Sequence, residues 1–538
     1  MDQRARFACT ACRKLKRKCP KELPSCSLCL RLEKRCEYLP RAQKLYENVN
    51  SESSASSNSP NGKANPQDLN CLSTEVHSGL IQGAASTSGG IDTFPAMFFL
   101  NSDICVKPLS SDCSQPMAPA AIPYNLCSEA YTIYEQYSSS IRQWLPILSR
   151  KRVRRLMADD TPSSNGPSQL LFLCMKLVSE QVPSEVPART NKTYMRVLEA
   201  LFIVENSCLP CIQLLQSVIL MSIYEVGHAI YPAAYLRVGH ASRLCVMMGF
   251  HDRKNAAQLF KDTVTWTARE EERRAWWAVF CLDRITNQGV NGLPLAAPEP
   301  SPGELLPSPE TIWNEGGVDF NEPLFAASFS NNTSLGSFAN VCQASHVLGR
   351  ILRHRDDASL SLNIRITEAK QLQGILTSLS SHLHDRSRDL ASPDSSLSLA
   401  LALCFSARIV LCDLYACNEK YSIDHGRSSE EAEMQRQAME SIFEAVRFTW
   451  QLARQILDSI GQEGESELDH ISPLLCHCLY TAAEESEWLL LEQEDVSQGV
   501  WLRDFVELLQ VIGRRWQVAN VYLTQIYTWP GYNSLVGQ

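Results

Sequence analysis

Catalytic signatures are missing from this 538-residue chain. It has no glycine-rich loop for cradling phosphates, no Gly-x-Ser-x-Gly elbow and no His-Glu-x-x-His helix. Its eleven histidines are scattered, and none sits in an acid–base or nucleophile motif. These absences argue against an enzyme, although a site built from distant residues leaves no local trace. Long apolar runs are lacking too. Leu397–Tyr415 comes nearest, but Arg408 and Asp413 interrupt it, so a buried helix explains it better than a membrane span. The opening Met1-Asp2-Gln3-Arg4 has no apolar leader region, which argues against an oxidising compartment and a disulfide framework. Strand-like alternation is scarce. No sustained heptads occur, so a parallel zipper is not expected.

What the chain does have is concentrated at one end. Six cysteines fall in the first 36 residues as two copies of one spacing, Cys9-x2-Cys12-x6-Cys19 and Cys26-x2-Cys29-x6-Cys36. Each cysteine of the second copy lies 17 residues after its counterpart. Two tetrahedral zinc ions need eight thiolate positions, and six cysteines supply eight if two of them bridge both metals. Between Cys12 and Cys19 runs Arg13-Lys14-Leu15-Lys16-Arg17-Lys18, cationic at five of six positions. A metal knot carrying a basic helix predicts a sequence-specific DNA reader. So short a segment has too few sizeable apolar groups to fold alone, so zinc binding supplies its folding free energy.

This segment resembles the fungal binuclear zinc cluster transcription factors over about residues 7–40. Ala11-Cys12-Arg13, Lys16, Lys18-Cys19 and Pro24-Ser25-Cys26 carry the match, with the two Cys-x2-Cys pairs. The resemblance implies that Cys9 and Cys26 bridge two structural Zn2+ ions. Cys12 and Cys19 then complete one tetrahedron, and Cys29 and Cys36 the other. It implies a CGG-type DNA triplet as the target, with Lys16 at the position that reaches guanine edges. Lysine and arginine donors suit the O6 and N7 acceptors of guanine. Arg13, Arg17 and Lys18 are expected on phosphates, where they set register. Leu15 stands where the family often has a basic residue, with Lys14 beside it as a substitute.

Charge follows the same division. The whole chain carries −9, yet residues 1–45 hold 13 Lys+Arg against 4 Asp+Glu. A head at +9 on a body at −18 fits a DNA-contacting domain joined to an acidic partner domain. From about 42 to 120 the composition is that of a disordered linker, as in Ser51-Glu52-Ser53-Ser54-Ala55-Ser56-Ser57. One apolar island, Phe94-Pro95-Ala96-Met97-Phe98-Phe99-Leu100, is either a segment docked on the body or a recruitment motif.

Beyond about 125, apolar residues recur at helical steps. Helices are expected over Gln169–Val178, Cys211–Val226, Ala234–Met248, Arg269–Thr286, Leu397–Cys417, Glu431–Ile460, Leu474–Leu491 and Trp501–Tyr527. Residues 301–330, rich in Pro, Glu and Gly, are expected as a variable loop. The body resembles the regulatory domain of the same fungal factors. Trp144-Leu145-Pro146-Ile147-Leu148 matches one of its signatures, and Gly292-Leu293-Pro294 closes another. Between them run Tyr235-Leu236-x2-Gly239-x-Ala241-x-Arg243-Leu244-x4-Gly249-Phe250-His251 and Glu270-Glu271-Glu272-Arg273-Arg274-x-Trp276-Trp277-x2-Phe280-x2-Asp283-Arg284.

On a helix, Trp277, Phe280 and Arg284 share one side, which is expected as packed core rather than the wall of an inducer pocket. Arg273 or Arg274 is expected to pair with a buried acid such as Asp283. Cys208-Leu209-Pro210-Cys211 and Cys476-His477-Cys478 are expected to be buried thiols rather than metal sites. Pro210 would sit in a first helical turn. Glu484–Glu492 mixes acids with bulky apolar groups and reads either as an activation segment or as an amphipathic helix of the body.

The expected fold is a small zinc-stabilised binuclear cluster DNA-binding domain (1–41), a disordered linker (42–120) and a large all-α regulatory domain (121–538). The expected function is a nuclear, sequence-specific transcription factor for RNA polymerase II genes. An activator of a secondary-metabolite gene cluster is favoured over a catabolic regulator or a repressor. Its expected partners are double-stranded DNA and the transcription machinery, and a homodimer would need a surface other than a coiled coil.

Overall fold

Helix is what the apolar spacing of the body predicts, and helix is what forms. The computed structural model describes residues 19–22, 24–31, 35–36 and 99, and most of 129–536. Its longest breaks there are 159–165, 325–334, 389–393 and 417–427. The chain divides into two units, Met1–Gly89 and Gly90–Gln538. The first contains α1 (Ser27–Arg31). The second begins with α2 (Ala130–Ser139), α3 (Arg150–Ala158), α4 (Gly166–Ser179), α5 (Lys192–Ser207), α6 (Ile212–Gly227), α7 (Ala233–Met247) and α8 (Trp266–Thr286). It continues with α9 (Glu310–Glu315), α10 (Ser337–Asp356), α11 (Leu362–Arg388), α12 (Ser395–Ala416), α13 (Ser429–Glu463), α14 (Cys476–Gln493), α15 (Val496–Gly513), α16 (Gln517–Ile526) and α17 (Pro530–Val536). Among the described residues no strand forms, and Leu305 and Pro323 make an isolated antiparallel bridge.

Two helices are surrounded by others. Every residue of α6 is buried, and it packs against α4, α7 and α8. α12 lies against α10, α11, α13 and α14. It is long and apolar enough to cross a membrane, but 83% of its apolar window is buried by these neighbours. A helix enclosed on all sides must be apolar all round, which is the composition read in Leu397–Tyr415. Its buried Arg408 is matched: Nε donates to Ser441 Oγ at 2.6 Å and Nη2 to Glu444 Oε2 at 3.0 Å. One apolar cluster runs from Ala130 to Trp529 and unites the body.

The structure corrects three expectations and refines a fourth. Trp501–Tyr527 is not one helix, because it breaks between α15 and α16 at Arg514-Arg515-Trp516. Trp516 takes an extended backbone (φ −113°, ψ 106°), and its buried ring donates from Nε1 to Ile471 O at 3.2 Å. Arg515 leaves the helix to pair with Asp469 and to donate to Val178 O at 3.3 Å. Long-range anchors thus override local periodicity, which carries no record of them.

Residues 301–330 are not simply a loop. They include α9 and the Leu305–Pro323 bridge, with Leu306, Trp313 and Leu324 buried as anchors. Arg273 and Arg274 do pair with a buried acid, but it is Glu270, at 2.6 and 2.9 Å, rather than Asp283, which pairs with the adjacent Arg284 at 2.7 Å. Nine residues of helix separate Arg274 from Asp283 by about 13 Å. Pro210 precedes the helix instead of entering it, since Cys211 is the N-cap of α6.

Glu484–Glu492 lies within α14. Leu489 is buried, and burial beside Asp413 and Glu484 pushes the Glu485 carboxyl up to about 8. That part of the segment is built into the body as an amphipathic helix. Cys476 and Cys478 are buried, and burial raises both thiols. Cys211 is buried as well, while Cys208 lies outside the described residues.

Trp277, Phe280 and Arg284 are fully buried, so this side of α8 is packed core. The Arg284 guanidinium lies 3.8 Å from the centre of the Phe280 ring. It donates to Ala297 O at 2.9 Å and to Glu299 at 2.6 Å, besides Asp283. Replacing Arg284 with alanine would leave Asp283 buried without its cation. The expected loss is about 3–5 kcal/mol of unfolding free energy, read from urea denaturation of the full chain.

Candidate metal centre and nucleic-acid interface

In the first unit the described core is made of cysteine. Cys19, Cys26 and Cys29 are buried together, with Leu28 and Cys36 packed against them. Leu30 is 67% exposed, so it adds little apolar burial. α1 explains part of the convergence. Leu30 N donates to Cys26 O at 3.1 Å, and this turn brings Cys26 and Cys29 to one side. The chain then returns so that Cys26 N donates to Cys36 Sγ at 3.2 Å. Ser27 N donates to Glu22 Oε2 at 2.6 Å, tying the approach to α1 back onto the preceding segment. Lys21 sits at φ 68°, a left-handed conformation between Cys19 and α1.

The sulfurs of Cys26, Cys29 and Cys36 all lie within 4.8 Å of one another. A tetrahedral zinc site with bonds of about 2.3 Å places its sulfurs about 3.8 Å apart. Three converging thiols therefore fit one metal, whereas a disulfide joins only two. These are the three cysteines that the resemblance groups with Cys9 around the second metal. Cys19 lies in the same buried cluster. Cys9 and Cys12 lie outside the described residues. So do all the expected DNA contacts, Arg13, Lys14, Lys16, Arg17 and Lys18, and the 42–120 segment apart from Phe99. Phe99 itself is exposed.

In the second unit, the signature residues of the body act on one another. Trp144, Leu145, Ile147 and Leu148 are buried. Pro146 O accepts from Arg274 Nη1 at 3.2 Å, and Ile147 O accepts from Gln216 Nε2 at 3.0 Å. Glu271 accepts from Ser149 N at 3.1 Å, from Gln216 Nε2 at 3.0 Å and from Arg152 Nη1 at 2.9 Å. Gly292 has φ 77°, the left-handed turn that a glycine tolerates best. These bonds join segments far apart in sequence, a role that side-chain type alone did not reveal.

Comparison with known proteins gives two family matches. Residues 7–45 match the fungal Zn(2)-Cys(6) binuclear cluster domain. Residues 134–297 match the fungal specific transcription factor domain. Transcription factor BOA15 of Botryotinia fuckeliana is 38% identical over 139 residues, 26% of this chain and 76% of that relative. The pigment biosynthesis transcriptional activator pigB of Monascus ruber is 29% identical over 145 residues, 26% of either chain. The ascochitine biosynthesis cluster transcriptional regulator of Didymella fabae is 31% identical over 71 residues, 13% of this chain and 12% of that one. The match thus spans most of the first relative but only a quarter or less of the other two. Both domain matches fall where the cysteine repeat and the helical body lie, and the chain belongs to the fungal Zn(2)-Cys(6) binuclear cluster transcription factors, whose cluster domain binds two structural zinc ions.

Proposed function

We propose that this chain is a nuclear, sequence-specific activator of RNA polymerase II genes that controls a secondary-metabolite biosynthetic gene cluster. The observation that carries the DNA-binding part is the convergence of Cys26, Cys29 and Cys36 within 4.8 Å, in a repeat whose other half holds the basic run 13–18. In this reading Cys9 and Cys26 bridge the metals, Cys12 and Cys19 complete one site, and Cys29 and Cys36 complete the other. The zinc ions cross-link a segment whose described core is otherwise three cysteines. Lys16 reads guanine in a CGG-type triplet, with Lys14 in support, and Arg13, Arg17 and Lys18 grip phosphates.

The chain is divided into 1–41 for DNA, 42–120 for reach and 121–538 for regulation. A second copy, where one binds, meets it without a coiled coil. Two relatives named for pigment biosynthesis and for an ascochitine biosynthesis cluster support the choice of pathway class. The domain matches and relatives support a regulator rather than an enzyme.

Chelating zinc from the full chain should abolish duplex binding while the far-UV helical signal of the body persists. Duplex affinity that survives chelation would refute the zinc-held reader. Lys16→Ala should erase preference for CGG over random duplexes yet leave weak binding, and equal losses on both duplexes would count against it. With four to six phosphate contacts, log affinity should fall against log salt with a slope of about −4 to −5. Genome-wide mapping of bound sites, paired with transcripts after deletion, tests the pathway. The expected outcome is occupancy at one biosynthetic cluster whose transcripts fall. Rising transcripts, or occupancy at catabolic genes, would overturn it.

A further inference from the structure

The body contains a cavity of about 430 Å³ where α3, the N-cap of α6, the start of α8 and the segment between α7 and α8 meet. That volume is within the range of small-molecule sites. Its apolar lining is made by Ile212, Met248, Phe250 and Phe260. The rest of the lining is polar, and its charges are unbalanced. Both carboxylates in the lining are engaged: Glu271 by Arg152 at 2.9 Å, and Glu272 by Arg253. Lys151 and Arg155 remain without a carboxylate among the described residues. Lys151 donates to Gly316 O at 3.2 Å, a carbonyl that carries no formal charge.

The N-terminal turn of α8 adds to the polar lining. Its N-cap Thr265 lines the cavity and accepts from Ala268 N at 3.3 Å. The hydroxyl of Thr263, also in the lining, is buried and has no hydrogen-bond partner among the described residues. Two cations without a carboxylate among the described residues and a helix N-terminus, in a lining that also holds four apolar side chains, make an amphipathic environment that favours an anion.

We infer that this cavity is a binding site for a small organic acid, with its carboxylate held by Arg155 and Lys151 and its apolar body lying on Ile212, Met248, Phe250 and Phe260. Trp277, Phe280 and Arg284 do not line it. A ligand seated there touches three helices at once, so it stabilises their mutual arrangement in proportion to its occupancy. The inference goes beyond the DNA-binding proposal and stands without it.

The test is calorimetric titration of the full zinc-loaded chain with 2-naphthoate, and with 2-naphthamide as its neutral counterpart. The acid should bind with one-to-one stoichiometry and raise the melting temperature, and the amide should bind about tenfold or more weakly. The double variant Lys151→Ala/Arg155→Ala alters exposed side chains and should lose a similar factor for the acid while remaining folded. Ala268→Phe, which fills the cavity from α8, should abolish binding of both. Far-UV spectra and duplex binding are followed in the same samples, so loss of fold or of DNA recognition is separable from loss of the acid. Equal affinity for acid and amide, undiminished affinity in the double variant, or no binding of millimolar naphthoate to the folded chain would each overturn the proposal.

Discussion

A charge removed from water must find a partner, and α8 carries five of them into the interior: Glu270, Glu271, Arg274, Asp283 and Arg284. Their partners include side chains and, at seven bonds, loop backbone. Glu270 accepts from Ser308 N at 2.8 Å, and Arg274 donates to Pro146 O and Ser308 O. Asp283 accepts from the backbone N–H groups of Ala296 and Ala297 at 3.0 and 3.1 Å. Irregular segments carry backbone groups with no helical partner, and α8 supplies those partners from a rigid rod. The loops on either side of α8 are therefore positioned by its charges as well as by apolar contact.

The two units solve the problem of stability differently. The body has enough chain to enclose whole helices, and α6 and α12 are its interior. Among its described residues the cysteine-rich unit has almost no apolar interior, with Cys19, Cys26 and Cys29 in the place that leucine and phenylalanine fill elsewhere. A core of thiols holds together when a metal joins them, and the same metals fix the orientation of whatever the chain between them presents. Coupling folding to zinc in this way suits a DNA-binding module too small to enclose a core of its own.

Much of this was readable in advance. The repeat of cysteine spacings identified the metal unit without any structure, because coordination chemistry constrains ligand number and spacing tightly. The helices over Gln169–Val178, Cys211–Val226 and Arg269–Thr286 appear within a few residues of their expected limits. Periodicity reports which face of a helix is buried, and these helices bury broad faces. The break at Trp516 was not readable, since an unbroken apolar pattern crosses it and the residues that hold the break open, Asp469, Ile471 and Val178, are remote in sequence. Nor was the docking of 301–330, where Pro and Gly disguise three buried anchors, Leu306, Trp313 and Leu324.

The sequence by itself determined the metal chemistry, the all-α body and the separation of basic head from acidic remainder. Each is written in local spacing or composition, which folding does not alter. Only the tertiary structure decided that Glu270 and Arg274 meet Ser308, and that Asp283 meets Ala296 and Ala297. It alone gathered Lys151, Arg155, Phe250 and Thr263 around one cavity. Those relations depend on which segments meet in space, and the free energy that brings them together is spread over the whole core rather than encoded in any one stretch.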